Sequence, residues 1–378
     1  MTNTYSIVHS LQQVNPLAWD ALSQHVFTRH DFLYALEQEN CATQATGWNI
    51  NYLLLHQNNE LVGAVPLYVK THSRGEYVFD HHWAQAYAQH QLAYYPKLLV
   101  AVPFTPVSGP RLLANNSSHK QLLAQGLQQL AAQQNFSSLH VLFPDEQDRL
   151  ALEQAGFMLR TNVQFHWHNE SYSSMEDFLA SMTRDKRKKM RQDSKKVHAA
   201  GVRFRHLQGD QITPADLDFF YQCYAHTYLS RGQLPYLNFA FFKRWYHDNP
   251  ESWVLIVADQ HESALASALC IRDKDSLYGR YWGSMHYLPG LHFETCYTQT
   301  IEFCIAQEIR SFEGGAQGEH KLARGLLPIT TYSAHWIADA QFSAAIQHFL
   351  DQETPAVNEY AESLTLHSPF KKKTVEHN

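Results

Sequence analysis

Short apolar runs alternate with segments of helical periodicity along most of the chain. In the first part, "YSIVHSL" predicts a strand. The two apolar runs of "INYLLLHQNNELVGAVPLYVK" predict a hairpin, because the Asn58-Asn59 pair that joins them is typical of a tight turn. Further strands are predicted at 97–102, at "SSLHVLF" and at "GFMLRTNVQFHWHN", and helices at 18–39 (as one or two short helices), 118–134 and 146–155.

The second part of the chain repeats this order of elements. The helical pattern of "MEDFLASMTRDKRKKMRQDSKKVHAA" ends at Gly201, a residue that suits a helix C-terminus. Two helices follow, at 214–230 and 239–247. Three successive strands are then predicted in "SWVLIVADQ", "ALASALCIRD" and "SLYGRYWGS". The remaining elements are a helix at 293–308, the strands "RSFEGG" and "ITTYSAHWI", and a helix at 340–350.

The doubled order of elements predicts a fold class and a domain division. Each part offers helices, a meander of strands and then strand–loop–helix–strand, which predicts a mixed α/β protein of the α+β type with mostly antiparallel sheets. We expect an N-terminal domain at 1–165, a C-terminal domain at 166–355 and a loose tail at 356–378.

Composition narrows the function classes. The 378 residues are 44% hydrophobic, which supports two packed cores, and the net charge of -6 gives no overall basic field for nucleic acid. The 24 histidines make the charge vary between about pH 5 and 7. Five scattered cysteines without a CxxC motif favour a reducing compartment. Without a secretory pattern or an apolar run of about 18 residues, we expect a soluble cytoplasmic protein with no membrane span.

One stretch resembles a known group of enzymes. "YWGSMHYLPGLHFETCYTQTIEFCIAQEIRSFEGG" is similar to the second-domain core of FemAB-type transferases, with Leu288, Pro289, Glu302, Phe312 and the Gly314-Gly315 pair in comparable places. The resemblance implies two tandem domains of the GCN5-related N-acetyltransferase (GNAT, or acyl-CoA N-acyltransferase) fold. It also implies an acyltransferase that takes acetyl-CoA or another acyl-CoA as donor substrate.

Three blocks extend the resemblance over most of the chain. "HSRGEYVFDHHWAQAY", "YYPKLLVAVPFTPVSGPRLL" and "FEGGAQGEHKLARG" resemble those of a bacterial subgroup, the peptidoglycan biosynthesis/recognition proteins. One departure is Gly315, where relatives tend to carry proline. The resemblance is specific for the family and less so for the reaction, because members of the subgroup are mostly named by analogy.

Acyl transfer to an amine requires a held donor and a neutral nucleophilic nitrogen. The chain has no GxSxG motif and no cysteine in a recognisable catalytic setting, so direct attack by the amine is expected. A helix N-terminus attracts the pyrophosphate of CoA. Two loops are candidates for this cofactor-binding role, although a single glycine-containing loop is a weak signal and an ordinary capped turn is the alternative for each. They contribute Ser108, Gly109 and Arg111 from the first part and Leu288, Gly290 and Leu291 from the second.

Candidate catalytic and substrate-binding residues concentrate around "FEGGAQGEHKLARG". Glu313 lies on the predicted strand, and Glu319 and His320 follow on the loop, so these three could accept a proton from the amine. Glu294 could do the same from the first turn of its helix or could only stabilise the helix dipole. Substrate-binding candidates are Gln317, Lys321 and Arg324 on the loop, and Tyr95 and Lys97 at a strand entrance. The alternative is a solvated loop with internal ion pairs.

Two further patterns were weighed. His81, His82, His166 and His168 provide no evident third ligand for zinc, so no metal is expected. The basic segment "TRDKRKKMRQDSKK" is either a solvated helix face or a site for phosphate or the tRNA backbone.

Three functions remain open at the level of sequence. The first is an N-acyltransferase that uses acyl-CoA and a small-molecule or peptide amine. The second is a FemAB-like peptidyltransferase that uses aminoacyl-tRNA and cell-wall precursors, which the basic segment favours and the acidic whole opposes. The third is a non-catalytic protein that binds muropeptide or another polyamide on a degenerate transferase fold. The oligomeric state is also open.

Overall fold

The structure, a computed structural model, describes residues 2–316 and 318–371. The chain divides into two compact units. Unit 1 comprises residues 1–162, 236–245 and 330–359, and unit 2 comprises 163–235, 246–329 and 360–378. The first division falls within one strand, close to the expected boundary at residue 165. Two later segments of the chain nevertheless return to unit 1, which no pattern in the sequence indicates.

The strands in chain order are β1 (Asn3–Val8), β2 (Trp48–Ile50), β3 (Tyr52–Gln57), β4 (Glu60–Val65), β5 (Leu67–Lys70), β6 (Lys97–Val100), β7 (Ser138–Leu142), β8 (Met158–His168), β9 (Val202–Gln208), β10 (Trp253–Gln260), β11 (Ser263–Asp273), β12 (Ser276–Ser284), β13 (Ser311–Glu313) and β14 (Leu327–Ile337). The helices are α1 (Pro16–Asp20), α2 (His30–Gln38), α3 (His81–Gln89), α4 (Ser117–Gln133), α5 (Glu146–Gln154), α6 (Met175–Ser181), α7 (Arg184–Ala199), α8 (Pro214–Leu229), α9 (Phe239–Asp248), α10 (Leu291–Phe293), α11 (Gln299–Ala306) and α12 (Ala340–Leu366). A π-helical turn, Glu294–Thr298, joins α10 to α11.

Unit 1 contains two sheets. β1, β3 and β4 form an antiparallel sheet, and the Asn58-Asn59 turn joins β3 to β4 with both asparagines at positive φ, as the hairpin pattern predicted. A second sheet has the order β2-β5-β6-β7-β14, in which only β6 and β7 are parallel among the pairs described for it. Between these two strands the chain passes through α4, whose buried Leu123, Ala124 and Leu127 pack in the core of the unit.

The sheet of unit 2 has the order β8-β13-β12-β11-β10-β9. The meander from β9 to β12 is antiparallel, as expected, whereas β13 runs parallel to β12. The connection between β12 and β13 is the helical segment from Leu291 to Ala306, and its buried Ile301 and Cys304 pack with Phe312 of β13. The candidate site lies at this unit of strand, helix and parallel strand, formed by β12, the helical segment and β13.

The C-terminal region differs from the expected loose tail. Residues 356–366 continue α12, which the pattern had ended at residue 350. Pro355 lies inside this helix, although proline removes a backbone donor from a helix interior. The remaining tail residues 372–378 lie outside the described part of the chain.

Candidate functional site

The candidate site of unit 2 lies where β12 and β13 separate. The two strands pair only from Ser276 to Tyr278 and from Ser311 to Glu313, although β12 continues to Ser284. Beyond Tyr278, the edge of β12 that faces β13 therefore has no partner strand in the described part of the chain. A cavity of about 180 Å³ lies at this opening. Its walls include Gly279, Arg280, Tyr297, Phe312, Gly314 and Gly315.

A β-bulge shapes the β12 side of the opening. Leu269 of β11 is opposite Tyr281 and Cys270 is opposite Gly279, so Arg280 is the additional residue on β12. An extra residue bends the strand and alters the direction of its side chains. The bulge thus lies at the same level as the last pair of β12 with β13, and it contributes to the divergence of these strands.

Glycines keep the opening free. A Cβ atom on Gly314 would lie 2.6 Å from Cδ2 of Leu326, and one on Gly279 would lie 3.1 Å from Cε2 of Phe312. Gly315 has a φ of 88°, in the left-handed region where glycine is favoured. The Phe-Glu-Gly-Gly sequence therefore ends β13 without side chains that would fill the cavity.

Glu313, the last residue of β13, is a carboxyl with an unusual environment. Its Oε2 atom lies 3.8 Å from Nε2 of His166 on β8, and both side chains are largely buried. Burial raises the pKa of Glu313 to about 8, against a smaller lowering by Arg280. Burial, followed by the charges of His168 and Lys321, lowers the pKa of His166 to about 3. Near neutral pH both groups are therefore mostly uncharged.

The loop after Gly315 carries two predicted site residues, Lys321 and His320, near the opening. The buried Lys321 donates from Nζ to the carbonyl oxygen of Gly315 at 2.6 Å, and burial lowers its pKa to about 8. Nε2 of His320 lies 3.1 Å from the hydroxyl of Tyr297, and its pKa is lowered by burial and then by Lys321 and Arg324. Gln317 lies outside the described residues.

Arg324 lies on a more internal part of the same loop. Its guanidinium stacks over the ring of Phe293 at 4.4 Å and donates to Oδ2 of Asp193 at 2.7 Å. One of its charged contacts is therefore already made within the protein, whereas its buried Nε has no hydrogen-bond partner in the described part of the chain.

Other predicted residues of unit 2 lie apart from the opening. Glu319 is exposed and accepts a hydrogen bond of 2.5 Å from the hydroxyl of Tyr360. Glu294 is buried and lines a different cavity. Gly290, at a φ of 86°, immediately precedes α10, so the expected turn at a helix start is present, with Leu288 before it and the buried Leu291 after it.

In unit 1, Lys97 belongs to a buried ionic cluster. Its Nζ donates to Oε2 of Glu76 at 2.8 Å, to Asp80 and to Oγ of Ser73 at 2.8 Å. Burial opposes its charge, but Glu76 and Asp80 raise the pKa of Lys97 overall. Tyr95 lies beside this cluster, with its hydroxyl 2.7 Å from Oγ of Ser73. The side chain of Lys97 is thus engaged internally, in the region where a substrate contact was predicted.

The predicted anion loop of unit 1 has a different geometry from the one expected. The buried Arg111 donates to three backbone carbonyls, those of Leu142 (2.8 Å), Val107 (2.5 Å) and Pro110 (3.1 Å). Gly109 bonds to backbone on either side of Pro144, and Ser108 precedes it. The following helix, α4, begins only at Ser117. These residues therefore do not stand at a helix N-terminus, and Arg111 has its donors committed.

Several residues of these sites were not among the sequence candidates. His166 was considered only as a metal ligand, and Arg280 carried no signal because a bulge cannot be read from the composition of one strand. No group of three histidine, cysteine, aspartate or glutamate side chains able to hold a metal occurs among residues 2–316 and 318–371. None of the helices described is long and apolar enough to cross a membrane.

Unit 2 combines three features: an antiparallel meander, a bulge, and a parallel strand that diverges after a crossover helix. Together these features define the acyl-CoA N-acyltransferase (GNAT-like) fold class. The predicted fold class, mixed α/β with tandem GNAT-like domains, is confirmed. The chain belongs to the FemAB-like family, described as peptidoglycan biosynthesis/recognition, which it matches over residues 10–372. The resemblance inferred from the sequence motifs is therefore confirmed.

Solved structures support the fold at low sequence identity. The crystal structure of FemX is 11% identical, with a TM-score of 0.53 over 92% of this chain and 100% of that one. L-PGS from Bacillus licheniformis is 10% identical, with a TM-score of 0.51 over 83% and 93%. A conserved protein of unknown function from Bacteroides thetaiotaomicron is 9% identical, with a TM-score of 0.53 over 89% and 100%. No curated protein matches the sequence.

Proposed function

We propose that unit 2 transfers an acyl group from acyl-CoA to an amine, at the opening between β12 and β13. The observation that carries this proposal is the Glu313 carboxyl, with a pKa raised to about 8, on the residue between Phe312 and Gly314, which both line the cavity where the two strands separate. The unpaired edge of β12 offers main-chain groups to an extended amide-containing chain, and the pantetheine arm of CoA has that chemistry. The turn at Leu288, Gly290 and Leu291 is the proposed place for the pyrophosphate.

The proposed reaction is direct. The neutral amine attacks the thioester carbonyl, a C–N bond forms, and the C–S bond breaks to release CoA as thiolate. Glu313 in its ionised form accepts the proton that the amine loses, and the thiolate is protonated on release. Lys321 holds the carbonyl of Gly315 and so fixes the glycine turn that borders the cavity. His320 and Glu319 remain alternative proton acceptors on the neighbouring loop.

The family description suggests the class of acceptor. A protein of peptidoglycan biosynthesis/recognition would take an amine of a muropeptide or of another cell-wall precursor. The second candidate function, aminoacyl-tRNA-dependent transfer to such a precursor, is favoured by the exposed basic residues of α7. These include Arg184, Lys186, Lys188, Lys189, Arg191, Lys195 and Lys196.

The decisive experiment measures thiol release from acetyl-CoA in the presence of muropeptide amines, together with the thermal shift that acetyl-CoA causes. A ligand that binds only the native state raises the melting temperature, by an amount set by its concentration relative to Kd. Thiol release with a positive thermal shift supports the proposal. If the protein binds tRNA in a salt-sensitive way and does not respond to CoA, the second candidate function is supported instead. If it binds muropeptides but turns over neither donor, it is a non-catalytic protein.

A further inference from the structure

Unit 2 contains a second cavity, of about 360 Å³, that shares no lining residue with the cavity beside β13. It lies among α6, α7, the π-helical turn and α11. This location brings together two patterns of the sequence that the proposed reaction does not use. One is the line of Glu294, Thr298 and Glu302, and the other is the basic helix α7. A volume of this size is within the range of small-molecule pockets, about 300–1,000 Å³.

The acidic wall of this cavity is built around Glu294. The residue is only 1% exposed, and its Oε1 accepts hydrogen bonds from Oγ of Ser194 at 3.2 Å and from Nε2 of Gln299 at 3.0 Å. Across the described part of the chain, no hydrogen bond reaches its other oxygen, Oε2. Because Oε2 is absent from the buried atoms that lack a partner, it is accessible to the cavity, where a hydrogen-bond donor of a ligand would pair with it.

The position of Glu294 depends on the π-helical turn. This turn, Glu294–Thr298, adds one residue to the helical repeat and begins at the carboxylate itself. Such π-bulges are rare within α-helices and frequent at functional sites, because they change the direction of the side chains on one turn. The exposed Glu302 contributes a second carboxylate farther along the same wall.

The opposite wall is basic, and only part of its charge is neutralised internally. Arg191 forms an ion pair with Glu176. Nε2 of His198 lies 3.7 Å from Oε1 of Glu294. Lys195 is exposed at the cavity and makes no ion pair among the described residues, so its ammonium group is available to an anion.

The floor of the cavity is apolar. Met175, Leu179 and Met190 contribute side chains to it, and the last two are buried. An aliphatic segment would contact this floor, and methionine adapts its shape to different ligands at low cost. The cavity therefore offers a carboxylate, an ammonium group and an apolar surface between them.

We propose that this cavity binds a small zwitterion, with its ammonium group at Glu294, its carboxylate at Lys195 and a short aliphatic segment on the methionine floor. A simple cation would leave Lys195 without a counter-charge at the cavity, and a simple anion would leave Oε2 of Glu294 without a hydrogen bond from the ligand. Only a ligand with both charges satisfies both walls. The site is independent of acyl transfer and of the carboxyl of Glu313.

The experiment measures binding by calorimetry, without an acyl donor, for the series glycine, β-alanine, 4-aminobutyrate and 6-aminohexanoate. Butylamine and butyrate serve as single-charge probes. Because hydrogen bonds to charged groups are the stronger ones, we expect at least one zwitterion of the series to bind about tenfold or more tightly than either single-charge probe. Equal binding of butylamine and of every zwitterion, or no binding in the whole series, overturns the proposal.

Variants then assign the two charges. Lys195→Ala is expected to weaken binding of the best zwitterion about tenfold and to leave butylamine binding unchanged. Lys196→Ala, on the same helix but outside the cavity wall, is the matched control and should change neither. Glu294→Gln keeps an acceptor for Ser194 and Gln299 while removing the charge, and it should reduce binding of zwitterion and amine alike. Undiminished affinity in both Lys195→Ala and Glu294→Gln overturns the assignment, whatever the acyltransferase assay shows.

Discussion

Oε2 of Glu313 lies 3.8 Å from Nε2 of His166, and neither atom has a hydrogen-bond partner in the described part of the chain. The pair lies on adjacent strands, β13 and β8, and Glu313 is opposite His166 in their register. Burial favours the neutral form of each group, and the charge of Arg280 offsets only part of the cost of a charge on Glu313. A carboxyl poised in this way is suited to accept a proton at mildly alkaline pH.

The first prediction concerns the pH dependence of turnover. Glu313 must be ionised to act as a base, so kcat/KM for amine acylation should rise with pH and approach its plateau above about pH 8, the pKa of the group. Glu313→Gln should lower turnover by about 10²- to 10⁴-fold, the usual contribution of a general base. Initial-rate measurements of thiol release from pH 6 to 9.5 check both expectations.

The comparison variant for this test is Glu319→Gln, because Glu319 is exposed on the neighbouring loop and bonded to Tyr360. Two results together would contradict the assignment of the base to β13. Glu319→Gln would lose as much activity as Glu313→Gln, and Glu313→Gln would keep the rise in activity near pH 8. The base would then be on the loop.

The second prediction concerns stability and follows from the same carboxyl. Its pKa is raised from 4.5 in the unfolded reference to about 8 in the folded protein. Its favourable contribution is therefore complete below about pH 4.5 and is lost as the pH rises through about 8. Glu313→Gln removes this loss, so the free energy of unfolding of the variant relative to the original should increase between about pH 5 and 8. Urea denaturation at several pH values measures the difference, and a constant difference across this range would contradict the assigned pKa.

The sequence predicted much of this site but not its geometry. The Phe-Glu-Gly-Gly pattern placed Glu313 at a strand end, and the structure has it there. The environment of the carboxyl was not predictable, because His166 is almost 150 positions away and reaches it only through the pairing of β8 with β13. Likewise, the composition of β12 gives no sign that Arg280 is a bulge residue, since the bulge depends on the register with β11.

Local patterns were most informative where local interactions decide the structure. The hairpin at Asn58-Asn59 was predicted, and the helix that begins directly after Gly290 was predicted to start at residue 293. Both features are set by backbone preferences within a few residues. Arg111 shows the opposite case. Its charge beside a glycine suggested an anion site, but the fold surrounds it with backbone carbonyls from residues as distant as Leu142. A long-range contact of this kind leaves no local signal.

The third prediction tests how closely β12 packs on α8. A Cβ atom on Gly283 would lie 1.9 Å from the backbone oxygen of Cys223. A Cβ atom on Gly279 would lie 3.1 Å from the edge of the Phe312 ring and 3.4 Å, an ordinary contact distance, from the backbone oxygen of Glu313. Backbone cannot move aside as easily as the far end of a side chain. Gly283→Ala should therefore lower the free energy of unfolding by about 3 kcal/mol, at the upper end of overpacking effects, and Gly279→Ala by about 1 kcal/mol. Equal losses in urea denaturation would contradict this packing.

The fourth prediction concerns the buried cluster of unit 1. Removing the charge in Lys97→Met leaves Glu76 and Asp80 buried without their shared cation, and breaking a buried ion pair in this way typically costs about 3–5 kcal/mol. The triple variant Lys97→Met/Glu76→Gln/Asp80→Asn removes the uncompensated charges and should recover part of that loss. Chemical denaturation of both variants measures the free energy of unfolding. A loss below about 1 kcal/mol in Lys97→Met would show that the cluster is solvated, as surface pairs are.

The last prediction concerns a chain of hydrogen bonds that continues from this cluster. The hydroxyl of Tyr94 donates to Oδ2 of Asp80 at 2.7 Å and lies 3.0 Å from Nε2 of His140. Nδ1 of His140 lies 2.7 Å from Nδ1 of His335, whose Nε2 lies 2.8 Å from Oγ of Ser333.

Burial lowers the pKa of His140 to about 3 and keeps that of His335 well below its usual value, so both rings are neutral. Nε2 of His140 lies 3.0 Å from the hydroxyl of Tyr94 and 2.9 Å from that of Ser138. Because Tyr94 already uses its proton on Asp80, we expect Nε2 to carry the proton and donate to these oxygens, which leaves Nδ1 of His140 as an acceptor. His335 therefore carries its proton on Nδ1 and accepts from Ser333. Nitrogen-15 spectra should show the Nε2–H tautomer for His140 and the Nδ1–H tautomer for His335, unchanged from pH 8 to 5. Tyr94→Phe leaves Ser138 as the remaining partner of Nε2 and should weaken the preference of His140 for its tautomer. Opposite tautomers in the original protein, or protonation of either ring above pH 5, would contradict the assigned directions of these hydrogen bonds.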